Sequence, residues 1–225
     1  MPPVSGVSFV LKIGNERQLV TLSNGSAGEV FRLNFLGQQT ANINFDAAAS
    51  AVQSALEALS TIGAGNVAVA GAAGGPYTVT FQGTLAGQDV DALTASNTTG
   101  DLSVQITNPG PTYVLLGGQR NAKLNRSTDE ADATSKDSAG WHEGLPVIRN
   151  WSIESDQLVL ESDAAYLALE KAYLNKARVH IQAAMPSGSV YNGIGSLTDF
   201  PMEGPHDDLL SGSCTIMGSG ALTKV

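Results

Sequence analysis

Short runs that alternate apolar and polar side chains, punctuated by glycine and asparagine, limit this chain's fold more than any other feature. In residues 7–13, Val7, Phe9, Leu11 and Ile13 fall on one side and Ser8, Val10 and Lys12 on the other. That is the period-2 pattern of a strand with one buried face, and Gly14-Asn15 then signals a turn. The pattern returns in Phe31, Leu33 and Phe35, in Ile43 and Phe45, in Val67 and Val69, in Tyr77, Val79 and Phe81, and in Leu102, Val104 and Ile106. Further strand-like runs cover residues 113–116, 147–153, 157–160, 178–183, 190–197 and 213–218. Two stretches carry a helical period instead, so the chain is predicted to be mainly β.

Residues 19–108 differ in composition from their surroundings. They are rich in Ala, Gly, Thr and Asn, and set Glu29, Asp46, Glu57, Asp89, Asp91 and Asp101 against Arg32 alone. Within them, Asp46 is placed to cap a helix. At 100° per residue, Ala48, Val52, Ala55, Leu56 and Leu59 share one face of that helix and Ser50, Gln53, Ser54 and Glu57 the other. The helix is predicted to end near Gly63-Ala64-Gly65. This reads as a small α+β module of about five strands and one helix, closed by the stiff exit Pro109-Gly110-Pro111. A second helix is predicted over 163–177, with Tyr166, Leu167, Leu169, Tyr173 and Leu174 on a wide face. Glu170 falls inside that face, either as a partly exposed carboxylate at its edge or as one half of an ion pair between subunits.

Residues 117–144 are polar and mixed in charge, with Arg120, Lys123, Arg126 and Lys136 among Asp129, Glu130, Asp132 and Asp137. A free loop of that length inside a compact domain needs a job. The expectation is an extended arm or hairpin that orders against something else.

Charge narrows the partners. Charged residues make up 15% of the 225-residue chain, against roughly 25% in an average soluble protein, so small and hydroxyl side chains must cover much of the surface. Twelve basic against 21 acidic residues leave a net charge of −9, which disfavours broad binding to a nucleic-acid backbone. Cys214 is the single cysteine, which excludes an intramolecular disulfide and a multi-thiolate zinc site. The N-terminal residues have no basic start and no apolar stretch, and no run approaches about 18 apolar residues. Neither a signal peptide nor a membrane span is expected.

No catalytic constellation emerges. His142, His180 and His206 are scattered without ligand spacing, so no metal site is expected. His180 lies on the polar side of a predicted strand, where an exposed imidazole is the ordinary outcome. Pro205-His206-Asp207-Asp208 reads as a solvated turn. The glycine-rich runs 70–75 and 83–87 lack the Lys and Ser/Thr of a phosphate loop. There is no Gly-x-Ser-x-Gly elbow, and Cys214 sits in an alternating strand as a small apolar residue. The Asn-x-Ser/Thr triplets at Asn24, Asn97, Asn125 and Asn150 fit chance in so Asn-, Ser- and Thr-rich a chain, and Trp141, Trp151, Tyr113 and Tyr191 are not interleaved with basic residues as a base-stacking platform requires. No enzyme activity and no cofactor are implied.

The stretch beginning Gly117-Gly118-Gln119-Arg120, the run 132–138 ahead of Gly140-Trp141, Trp151-Ser152-Ile153 and Ser155-Asp156 belong to one ordered set. The set continues with Leu167 and Leu169, with Gly193 before Leu197-Thr198-Asp199-Phe200, and with Gly218-Ser219-Gly220-Ala221-Leu222. Together they resemble the major tail tube protein family of long-tailed, siphophage-type bacteriophages. The resemblance spans residues 113–222, and the strand at 7–13 fits the family's N-terminal strand. Residues 16–109 depart from it, standing where the family has a short connection, and are similar to a small module of other phage tail and surface proteins.

The resemblance implies a mainly β fold: a tail-tube β-sandwich with one flanking helix and a long arm, formed by residues 1–15 and 111–225. Residues 16–110 would be an α+β module inserted in the first β-hairpin and carried on the outer surface. It implies a structural virion protein that assembles with itself into hexameric rings stacked as a tail tube, through which DNA passes at ejection. Implied partners are the tape measure, tail terminator and distal tail proteins. Arg120, Lys123, Arg126, Asp132, Lys136, Asp137, Trp141 and Glu170 are the candidate assembly residues. An acidic lumen would repel a duplex that carries one phosphate per roughly 1.7 Å of axis. The alternative is an adhesin whose inserted module binds host glycan or another tail protein.

Overall fold

The structure, a computed structural model, describes residues 9–97, 100–204, 206 and 209–225. Val7 of the expected first strand, and Pro205, Asp207 and Asp208 of the expected turn, lie outside the described residues. Strand β1 (Val10–Asn15) is followed by β2 (Arg17–Ser23), β3 (Val30–Phe35), β4 (Gln38–Gln39), β5 (Ile43–Asn44) and helix α1 (Ala49–Glu57). Then come β6 (Val67–Gly71), β7 (Tyr77–Phe81), β8 (Thr94–Asn97), β9 (Ser103–Thr107), β10 (Thr112–Leu115), β11 (Gln119–Asp132) and β12 (Gly144–Leu158). The chain ends with helix α2 (Ala164–Asn175), β13 (Arg178–Ala184), β14 (Val190–Asp199), β15 (Met202–Glu203), β16 (Ser211–Gly218) and β17 (Thr223–Lys224). The fold is mainly β.

The largest sheet runs β10-β1-β13-β14-β16-β12-β11, with β15 added to β16 and β17 to β14. Strands β1 and β10 pair antiparallel, Ile13 opposite Val114, although residues 16–111 lie between them in sequence. The sheet curls, bringing β11 back to β1. Gln119 at the start of β11 accepts from the Leu11 amide at 2.7 Å and donates to the Leu11 and Leu116 carbonyls at 2.8 and 2.6 Å. That side chain satisfies backbone groups that a flat sheet would leave at an edge.

Two other sheets, β6-β7-β2-β9 and β4-β3-β5 with β8 on β3, are built within residues 17–107. Eight strands appear there where about five are readable, because β2, β4 and β8 are too short or too polar to show a clear alternation. Buried apolar side chains form two clusters. One joins Val20, Phe31, Leu33, Val52, Leu56, Tyr77, Val79 and Phe81; the other joins Leu11, Ile13, Trp151, Ile153, Leu169, Ile181 and Ile216.

The helices show what periodicity catches and what it misses. Val52 and Leu56 of α1 are buried as expected, but the residue at the cap position is Ala48 and no side chain caps the helix, so Asp46 does not hold that role. Asp163 does cap α2, accepting from the Tyr166 amide at 2.8 Å. The buried stripe of α2 is Ala165, Tyr166, Ala168, Leu169 and Ala172, whereas Tyr173 is 48% and Leu174 72% exposed. Small residues let the helix lie close to the sheet; of the predicted face Tyr166 and Leu169 are buried, whereas Tyr173 and Leu174 are turned outward. The near approach shows at Gly87 (φ +73°), where a Cβ would come within 2.8 Å of Ala168 Cβ and 3.0 Å of Ile13 Cγ2.

The glycines of the C-terminal strands have a related cause. The Trp151 indole lies across β14 and β16, so that a Cβ on Gly193 would sit 2.6 Å from its ring and one on Gly218 would overlap it. Its Nε1 donates to the Gly220 carbonyl at 3.0 Å. Gly193, Gly218 and Gly220 are thus the bed of one buried tryptophan.

Candidate assembly surface

The two predicted runs 147–153 and 157–160 and the polar stretch before them resolve into one long hairpin. β11 and β12 pair from Gln119↔Gln157 out to Asp132↔Gly144. The root of β12 is held on both sides, because Ser152–Leu158 also pairs with β16, and Trp151, Ile153, Ser155 and Gln157 are buried. Beyond it, residues 144–151 have β11 as their one strand partner among the described residues. Thr128 lies opposite Arg149 and Glu130 opposite Pro146, so Asp129 alone faces Val147 and Ile148. Such a bulge turns side chains away from the regular alternation.

At this tip, apolar side chains meet water. Trp141 is 79% exposed, Leu145 60%, Val147 56% and Ile148 60%. The connection is locally built: the Ser135 hydroxyl accepts from the Asp137 amide at 3.2 Å, and the Ser138 hydroxyl accepts from the Ser135 amide at 3.0 Å. Ala139, in the left-handed conformation, closes the turn. A backbone-bonded hairpin therefore presents both exposed apolar groups and a strand edge unpaired among the described residues. A groove of about 740 Å³ beside the middle of the hairpin is lined by Arg126, Ile148, Arg149, Tyr191 and Leu222 among others.

Seven of the eight residues marked in the sequence lie on this hairpin, and their charges are solvated. Arg120 is exposed near the root, and Lys123 is 4.0 Å from Glu154. The Arg126 guanidinium lies 5.4 Å from the Tyr191 ring centroid. Asp132 accepts from the Thr134 amide at 2.9 Å, and hydrogen bonds from Thr134 hold its carboxyl below the usual range. His142 stands 3.8 Å from both Glu130 and Asp132. Lys136 and Asp137 sit in the short turn before Trp141. Glu170 is elsewhere, half-buried on α2; after desolvation of the phenol, its charge is the next cause that raises the Tyr166 pKa.

Sequence reading missed Leu145, Val147 and Ile148 as surface groups. The signal available was the adjacent apolar pair Val147-Ile148 behind Pro146, which breaks strict alternation. It also misplaced His180. Instead of being exposed, the imidazole is buried where residues 87–89 run along β13: the Asp89 amide donates to the Arg178 carbonyl at 2.8 Å and the His180 amide to Gly87 at 3.3 Å. Its Nε2 is 2.7 Å from Glu16 Oε2 and 3.5 Å from Asp89 Oδ1. Residues from three distant segments converge here, which spacing along the chain cannot reveal.

The chain is mainly β, and its longest hairpin leaves apolar side chains exposed at the tip. The family model for phage tail tube proteins matches residues 102–224. The chain belongs to that family, and is a structural component of the phage virion tail and not an enzyme. A tail sheath protein of Mycobacterium phage Bxz1 is 39% identical over 82 residues, which is 36% of this chain and 14% of that protein's length. Among solved structures, the tail of an empty gene transfer agent particle, refined with C6 symmetry, covers 50% of this chain and 86% of its own at 20% identity and a TM-score of 0.48. The SPP1 tail tube covers 50% and 67% at 13% identity and a TM-score of 0.42.

Proposed function

We propose that this chain polymerises through its β11–β12 hairpin into hexameric rings that stack as a tail tube, with DNA passing through the lumen. The observation that carries the reading is the exposed apolar tip, Leu145, Val147 and Ile148, on a strand whose outer edge has no partner among the described residues. Such an edge is a template for pairing with another chain, and a heterologous contact that closes by rotation makes a ring. Residues 1–15 and 111–225 are the tube-forming part in this reading, and residues 16–110 are displayed outside the wall. A unit of about ninety residues has a diameter of roughly 25 Å, comparable with a DNA duplex, and would block the lumen. The net charge of −9 fits a wall that repels phosphate. Tape measure, tail terminator and distal tail proteins are the partners expected at the inside and ends of such a tube.

The test is negative-stain microscopy and sedimentation velocity of the purified chain at high concentration, beside the double variant Val147→Asp/Ile148→Asp. Rings or tubes are expected from the native chain. The variant is expected to stay monomeric with an unchanged circular dichroism spectrum. A native chain that remains a monomer, or a variant that polymerises equally well, overturns the reading.

A further inference from the structure

The buried cluster where residues 16 and 87–89 meet β13 has the anatomy of a ligand-binding centre. Glu16 is 2% and His180 7% exposed. Each carboxylate is tethered by one oxygen and aims the other inward. Asn108 Nδ2 donates to Glu16 Oε1, and Arg178 holds Asp89 Oδ2 at 2.6 Å, while Glu16 Oε2 and Asp89 Oδ1 converge on His180 Nε2. Donors on the far oxygen of a ligating carboxylate are the usual outer support of a metal centre.

Glu16 Oε2 and His180 Nε2 are both fully buried, yet neither makes a hydrogen bond. They approach to 2.7 Å as an ion pair without a hydrogen bond between them. A cation need not lie on the line between them. With bonds of about 2.0–2.2 Å, the 2.7 and 3.5 Å separations subtend roughly 80° and 115° at an ion, within the range of a four- to six-coordinate centre. Glu16, Asp89 and Arg178 together carry one negative charge, which favours a cation. A cavity of about 140 Å³ lined by Glu16, Asp89 and Asn108 gives an approach.

We propose that Glu16, Asp89 and His180 bind a divalent first-row transition cation of the zinc class, with water completing its shell. One imidazole and two carboxylates are a borderline-to-hard donor set suited to Zn²⁺, Co²⁺ or Mn²⁺. The ion ties the chain leaving β1, the loop at residues 87–89 and strand β13 into one joint.

The test uses the purified full chain, stripped with a chelator and titrated with Zn²⁺ by calorimetry and with Co²⁺ by visible absorption. Saturable one-to-one binding, a Co²⁺ ligand-field band and a rise in melting temperature with Zn²⁺ are expected. Glu16→Gln and His180→Gln are each expected to weaken binding at least about tenfold, with circular dichroism reporting their fold. Asp89→Asn, at a less buried position, supplies a third variant should either misfold, and is expected to weaken binding as well. His142→Gln/His206→Gln is expected to bind like the native chain. Absence of saturable binding overturns the proposal. So does undiminished binding in the folded variants of the cluster, or loss of binding in the His142/His206 double variant, which would move the site to the surface.

Discussion

The root and the tip of the β11–β12 hairpin share one ladder of backbone hydrogen bonds and differ in nearly everything else. At the root, β12 has a strand on each side and its Trp151 and Ile153 are buried in the core. At the tip it has one strand neighbour among the described residues, and Leu145, Val147 and Ile148 are more than half exposed. Folding of the single chain thus completes the root and leaves the tip unfinished. Apolar residues on a surface are ordinary when scattered; here they adjoin a strand edge without a strand partner among the described residues, and the proposed assembly rests on that arrangement.

Three measurements press on that contrast. Ile153→Ala at the root removes a fully buried side chain and is expected to cost about 2–5 kcal/mol of monomer stability in chemical denaturation. Val147→Ala at the tip is expected to cost less than about 0.5 kcal/mol there. Equal losses would mean that the tip is packed in the monomer and would erase the distinction. A smaller but still clear effect is expected from Gly218→Ala, which drives a methyl group into the Trp151 ring and should cost about 1–3 kcal/mol. A neutral result would show that the indole does not rest on that strand.

A pH-dependent effect concerns Cys214, opposite Ser155 in the root. Burial pushes its thiol up from 9.0 to about 12. The folded state therefore favours the protonated form. Its contribution to stability is complete below pH 9 and lost as the pH climbs toward 12. Native protein at pH 8 is expected to resist alkylation by iodoacetamide, and Cys214→Ala is expected to flatten the decline in stability between pH 9 and 12. Rapid labelling of the folded chain would show that the root opens.

Much of the fold is legible because burial on one face of a strand forces alternation. Leu11 and Ile13, Phe31 and Leu33, and Tyr77, Val79 and Phe81 are buried where the pattern places them. Helix α2 begins where the sequence places it, at Asp163, and Tyr166 and Leu169 of its predicted face are buried; Ala165, Ala168 and Ala172 are missed, because alanines carry little hydrophobic signal and only the closeness of the sheet selects them. The charged residues of the arm are visible as a long polar stretch between strands. Its exposed Leu145, Val147 and Ile148 are not, because the same residue types fill a core, and the bulge opposite Asp129 decides where they point. The apposition of His180, Glu16 and Asp89 has no trace in local pattern at all.

The amino-acid sequence by itself determines the mainly β character, the composition break after the first strand, the acidic balance and the tail tube family, since each depends on residue type, order and period. Tertiary structure alone decides which apolar groups remain on the surface, why Gly193 and Gly218 must be glycine beneath Trp151, and that a histidine on the polar side of a strand is buried between two carboxylates. Periodicity records which side of an element a residue occupies. Only the packing of elements distant in sequence determines whether that side meets water, a neighbouring segment or another copy of the chain.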